Sequence, residues 1–319
     1  MKTIIFYITS FFIMYLSICA MVKGQGFDST CYEPYSHLPD SLLNDKLLIH
    51  KYKHNTNYKI FKEKETESAH YLAQFKEYGF PDGAKIIEHK KIIATRDLIL
   101  WMQNPRVTIC LNNDYTCPDI TIGKGYYYGA TFVSVLDNQT KRIIHTLPIV
   151  YDTNSMNEAN SCFLIPFAIK NPRYDEWMRY KATGGTRNKS GKAEIMYLDD
   201  YNGDGNKYEF PLFQQLNCMA CFTTLIGYSQ KQDIVIQYEI EYELLYKDEN
   251  EEDKSQMVKT NWIDHVFNHK IDKNGKLEFS IDYSGRGGSI EKYSLFYDQK
   301  TELFKGVCDT REVGQFGEQ

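Results

Sequence analysis

The sequence predicts a mainly β, α+β fold: an antiparallel β sandwich-like body preceded by a short helical N-terminal segment. Three observations carry that prediction. Short runs of β-branched and aromatic residues are separated by Asn, Asp and Gly turn signals, the pattern of strands joined locally. No regular β–α–β alternation is present, which argues against a parallel sheet. One stretch, residues 233–246, alternates strictly, with Ile234, Ile236, Tyr238, Ile240, Tyr242 and Leu244 on one parity and Gln237, Glu239, Glu241 and Glu243 on the other. A strand with one buried and one wet face reads this way, and such strands belong to antiparallel sheets.

Taken in order, residues 1–24 read as a signal peptide. Lys2 supplies the positive start, residues 4–20 are an almost uncharged apolar run, and Cys19, Ala20 and Gly24 provide small residues for cleavage. No second apolar run of membrane length follows, so no transmembrane segment is expected in the mature chain. Residues 25–84 form an N-terminal segment with one helix over 63–78. There Ala69, Leu72, Ala73 and Phe75 recur at helical spacing before Gly79 and Pro81 stop the run. Residues 85–319 form the β-rich domain, with a division into two subdomains near 170–190. Strands are expected at 85–94, 98–102 and 106–111. Two more, 126–136 and 142–151, flank the turn Asp137-Asn138-Gln139-Thr140 as a hairpin. Strands at 193–198 and 208–213 flank a polar loop, and the long strand over 233–246 is followed by a charged loop at 247–256. Further strands fall at 277–283, 293–297 and 302–304.

With 319 residues, 42% hydrophobic and 25% charged, the composition excludes disordered and coiled-coil chains. The net charge of −5 becomes more negative once Lys2 and Lys23 leave with the leader. Basic residues are scattered rather than gathered on one face, so nucleic acid is excluded as a partner.

Of eight cysteines, Cys19 lies in the leader. The seven others are odd in number, which permits at most three disulfides and one thiol. Export makes disulfides the default. Cys110 with Cys117 and Cys218 with Cys221 are the nearest pairs, although spacing alone does not choose a connectivity. The Cys218-x-x-Cys221 pair sits between strands rather than at a helix start, which favours a structural role over redox chemistry. His265 and His269 lack the Glu that a zinc protease needs after its first His. Ser229 lacks the second Gly of a nucleophile elbow, and residues 284–289 match no phosphate-binding loop. Asn138-Gln139-Thr140 and Asn188-Lys189-Ser190 are glycosylation sequons.

The most specific local signal is Asp200-Tyr201-Asn202-Gly203-Asp204-Gly205-Asn206. Oxygen side chains at alternate positions fold around one hard cation, Gly205 permits the sharp turn, and the Asn206 carbonyl adds a further oxygen. Over about a dozen residues the segment resembles the Asp-x-Asn-x-Asp-Gly calcium loops of EF-hand-like, dockerin and FG-GAP-type extracellular proteins. It departs from them at position nine, here Tyr208, and at position twelve, here Pro211 in place of Glu. Glu209 stands next to position nine as a substitute, and Asp199 is a spare carboxylate. The resemblance implies structural Ca2+ held by Asp200, Asn202, Asp204, Asn206 and Glu209. The same residues also build a turn without any ion.

Together these features predict a secreted or periplasmic β-rich protein with a calcium-stiffened loop. It would act as a binding or envelope-associated component for a protein or glycan. The alternative is an exported hydrolase of glycan or peptide whose active site is dispersed in sequence. No catalytic residue is assigned, and the non-enzymatic reading leads.

Overall fold

The computed structural model describes residues 54, 56–109, 125–149, 162–166, 195–215, 221–248, 250–261, 271–282 and 290–311. Nearly all of its secondary structure is β, and every described residue lies in the unit Glu33–Gln319. The leader and the division near 170–190 fall outside the described residues.

The helix, α1 (Thr56–Gln74), begins earlier than residue 63 and ends in a 3-10 turn, Lys76–Tyr78. Gly79, at φ 78°, closes it in the left-handed conformation that glycine adopts without a Cβ clash. Phe61, Ser68 and Phe75 recur every seven residues and are all buried, so one stripe of α1 faces the sheet.

β1 (Ala84–Ile93), β2 (Arg96–Ile109) and β3 (Gly125–Asp137) are antiparallel neighbours. β2 is one strand where the sequence predicts two. Its ladder slips between Gln103 and Arg106, where Asn104 has φ 41° and Pro105 has no N–H to donate. A bulge absorbs both without ending the strand. β2 buries both faces: Leu98, Leu100 and Met102 enter the largest core, and Ile99 and Trp101 enter a second core with Phe75, Tyr78 and Phe132.

One half of β3 pairs with β4 (Arg142–Pro148) and the other half with β5 (Cys162–Pro166). The sheet continues through β6 (Glu209–Gln215), β7 (Cys221–Ser229) and β8 (Ile234–Gln237). β8 returns beside β4, where the Val235 amide donates to His145 Nδ1 at 3.3 Å. The sheet thus curls around the large core. A clamp holds its turns together: Arg96 donates to both carboxylate oxygens of Asp233 at 2.8 and 2.6 Å, and the Tyr228 hydroxyl donates to Asp233 at 2.6 Å.

The second sheet has the order β10-β9-β13-β12-β11. Its strands are β9 (Ile240–Lys247), β10 (Asp253–Thr260), β11 (Lys276–Asp282), β12 (Ile290–Asp298) and β13 (Leu303–Asp309). All its pairings are antiparallel except β13 with β9. The charged loop predicted at 247–256 is shorter than expected, because residues from Asp253 onward already form β10.

The stretch 233–246 is not one strand. β8 ends at Gln237 in the first sheet and β9 begins at Ile240 in the second, with Tyr238 and Glu239 at the corner. The alternation survives the corner because Ile236, Tyr238, Ile240 and Tyr242 all meet the third core, with Leu225, Leu277, Leu295 and Phe304. The opposite parity of β8 is buried as well, with Val235 in the large core. The predicted strand at 193–198 is also corrected. Residues 195–200 form no named strand, and Asp199 makes only an isolated bridge to Glu209. The backbone there is held by a side chain, the Ile195 amide donating to Glu88 Oε2 at 2.6 Å.

Candidate metal centre

The polar loop leaves and re-enters the fold through that bridge, with Asp199 N to Glu209 O at 2.9 Å and the reverse bond at 3.3 Å. Inside it, each oxygen side chain folds back on the main chain. Asp200 accepts from the amides of Gly203 and Gly205 at 2.8 and 3.0 Å. Asn202 Oδ1 accepts from Asp204 N at 2.9 Å, and Asp204 Oδ1 from Asn206 N at 2.8 Å. Gly203 and Gly205 sit at φ 75° and 90°, where an L side chain is strained. A Cβ at Gly203 would also come within 3.1 Å of Ile271.

Carboxylate-capped turns recur in this protein. Asp137 accepts from the Gln139 and Thr140 amides, Asp248 from Asn250 and Glu252, and Asp272 from Asn274 and Lys276. The capping bonds alone are therefore turn chemistry. What separates the 200–206 loop is three oxygen side chains in succession and the burial of its middle. Asn202 is 2% exposed. Its Nδ2 donates to the Tyr238 hydroxyl at 3.2 Å, with Asp204 Oδ2 at 3.4 Å.

Glu209 lies beneath the loop and is 1% exposed. Its Oε2 accepts from Tyr201 N at 3.2 Å, and Tyr238 donates its hydroxyl to Oε1 at 3.4 Å. Burial first, and then the negative charges of Asp204 and Asp200, push its pKa up to about 9. Room for this arrangement comes from Gly227, the register partner of Glu209 on β7. A Cβ there would stand 2.8 Å from the Tyr238 ring and 3.0 Å from Glu209 Cγ.

Asp200, Asn202, Asp204 and Asn206 thus share one loop, with Glu209 directly under it. Asp199 faces away, paired with Lys207 at 2.8 Å. Among the described residues no group of three or more His, Cys, Asp and Glu side chains is arranged as a metal site. The oxygens of this loop come instead from two aspartates, one amide and the main chain. The sequence did not single out Tyr238 or Gly227 for the site. Gly227 carried a usable signal, because a glycine inside a strand pattern marks close approach of another group.

Other predicted positions resolve less. Cys110, Cys117 and Cys218 lie outside the described residues, as do His265, His269, Asn188 and residues 284–289; Cys221 is described only as backbone of β7. Cys308 is an unpaired, buried thiol, raised to about 11 chiefly by burial. Ser229 Oγ closes a turn by accepting from Gln232 N at 3.1 Å. Asn138 is tied into a network: its Nδ2 donates to Asp97 at 2.8 Å and its Oδ1 accepts from Tyr78 at 2.9 Å. Asp97 in turn meets His89 Nε2 at 2.8 Å.

No protein-family model, curated protein or solved structure matches this chain. Among the described residues, no helix is long and apolar enough to cross a membrane.

Proposed function

We propose that the protein is an exported binding component whose 200–206 loop takes a structural calcium ion. Asp200, Asn202, Asp204 and the Asn206 carbonyl supply the oxygens, with Glu209 as the reserve carboxylate below. The observation that carries this reading is the gathering of Asp200, Asn202 and Asp204 in one loop over the buried Glu209. The charges acting on Glu209 are Asp204 and Asp200, both negative, and a hard divalent cation is the partner that oxygen donors of this kind favour. Export rests on Lys2 and the apolar run of residues 4–20, and disulfides among Cys110, Cys117, Cys218 and Cys221 would follow from it. A binding role for protein or glycan is supported by the outer face of the second sheet. There a shallow depression is lined by Phe279, Tyr293 and Val307 together with the donors and acceptors of Glu278, Ser280, Lys292, Ser294 and Asp309.

The missing Glu at position twelve places the expected dissociation constant at about 10⁻⁴–10⁻³ M, the range of extracellular modules. An ion that binds only the folded state stabilises it by mass action, about 1.4 kcal/mol at a tenfold excess over Kd. Melting curves in millimolar calcium and in chelator test this. Calcium should raise the Tm by a few degrees, and D204A should remove the difference. Identical curves for wild type in both buffers would reduce the loop to a turn.

A further inference from the structure

The first sheet closes on itself at one place without a backbone ladder. β4 and β8 lie side by side, yet among the described pairings each ladders only to its other neighbour, β3 and β7. One hydrogen bond across this seam runs from a backbone amide to a side chain, Val235 N to His145 Nδ1 at 3.3 Å. A bulge prepares it. The β3–β4 register slips between Val135 and Leu136, which leaves Ile144 without a partner and re-aims the residue beside it. His145 pairs with Val135 of the large core, while its neighbour Thr146 is bonded to Ser134 at 2.8 Å.

We propose that His145 is a proton-operated latch on the β4–β8 seam, and that its protonation opens the curled sheet there. An imidazole Nδ1 that accepts a hydrogen bond must carry its proton on Nε2. In imidazolium both nitrogens are donors, so the Val235 amide would face another N–H. The bond is then replaced by repulsion, and a β8 amide beside the large core loses its acceptor.

Among the described residues, the surroundings offer the charged form no compensation. Val135 faces it from β3 and Val235 from β8. The charged groups of the adjoining turn, Arg96 and Asp233, are closed on each other with Tyr228. Lys141 lies near the Tyr78 hydroxyl of the 3-10 turn, and Arg142, on β4 itself, is exposed. Burial holds the pKa of His145 below the ordinary histidine value. The seam is therefore shut at neutral pH. It opens as pH falls below the unfolded value of about 6.5 towards the lower folded one.

Amide exchange at Val235, corrected for intrinsic rates, tests this between about pH 7.5 and about pH 5, the range over which histidine changes charge. Protection in wild type should fall by up to about tenfold per pH unit between the open-seam histidine value of about 6.5 and the lower closed-seam value. H145Q keeps an acceptor oxygen and gains no proton, so its Val235 protection should be flat. Constant protection in wild type, or a parallel loss in H145Q, overturns the proposal. A second reading needs no variant. Nitrogen chemical shifts of wild-type His145 at neutral pH should show Nδ1 unprotonated, and a proton on Nδ1 there would refute the latch.

Discussion

At the scale of single residues, two glycines near the candidate metal centre respond to substitution for different reasons. Gly205 has open space where a Cβ would sit, but φ 90°. G205A therefore meets only backbone strain, and about 1–2 kcal/mol of stability should be lost. Gly227 has an ordinary φ and a full cradle, with Tyr238 and Glu209 within 3.0 Å of the added carbon. G227A should cost about 1–3 kcal/mol by overpacking and should also weaken the calcium response in melting curves. If G227A leaves that response intact, the loop does not depend on the Glu209–Tyr238 arrangement. Glu209 itself divides by isostere. E209Q keeps an acceptor for the Tyr201 amide, whereas E209A strands a buried N–H at about 1–3 kcal/mol. In chelator, E209Q should melt near wild type and E209A well below it.

Asp97 carries the acid sensitivity of the helix–sheet contact. It is 5% exposed, and although burial works against its charge, the hydrogen bonds from His89 and Asn138 hold its pKa below the usual carboxylate value. A depressed carboxylate stabilises the fold above its unfolded value of about 3.9 and withdraws that support as pH falls towards the folded value. D97N should therefore unfold with a shallower dependence on pH below about 4 than wild type, read by denaturant titration at several pH values.

At the scale of elements, the β3–β4 hairpin was fully legible, because Asp137 to Thr140 is strong turn chemistry between two patterned runs. β2 was not, because the apolar pattern lapses over Gln103-Asn104-Pro105, while in the sheet a bulge carries the strand past them. The corner at Tyr238 was invisible for a different reason. Period-two patterning reports which side of the chain is buried, not which sheet buries it, and the third core receives residues from both sides of the corner. Facing predictions thus survive where strand boundaries do not. Ile240 is 3% exposed, so I240D buries an unpaired carboxyl and should cost several kcal/mol. E241Q, on the half-buried opposite face and without the like-charge clash a lysine would meet at Lys259 and Lys305, should stay within about 0.5 kcal/mol. Equal loss in both would mean that β9 has no solvent side.

At the scale of the whole molecule, the candidate centre sits where the two sheets meet. Tyr201 and Ile271 pack on the third core, and Tyr238 turns the chain from one sheet into the other. The acidic loop could be read from sequence because its ligand pattern is local. Its base could not, since Glu209, Gly227 and Tyr238 come together only through the β6–β7 register and the corner after β8. The same distinction applies to His145, which shows no motif at all and gains its partner from a bulge and a closing seam.

The parallel pairing of β13 with β9 has one further consequence, for the order of assembly. β13 lies inside the second sheet, between β9 and β12, although among the described strands it is the last along the chain. During synthesis the hairpin of β9 with β10 and the hairpin of β11 with β12 can each form by local contact. They remain two separate ribbons until residues 303–309 arrive to join them. A ribosome-bound or truncated chain ending before Leu303 therefore presents β9 and β12 as open, hydrogen-bond-hungry edges, the kind that pair with other copies. β13 acts as the closing stitch.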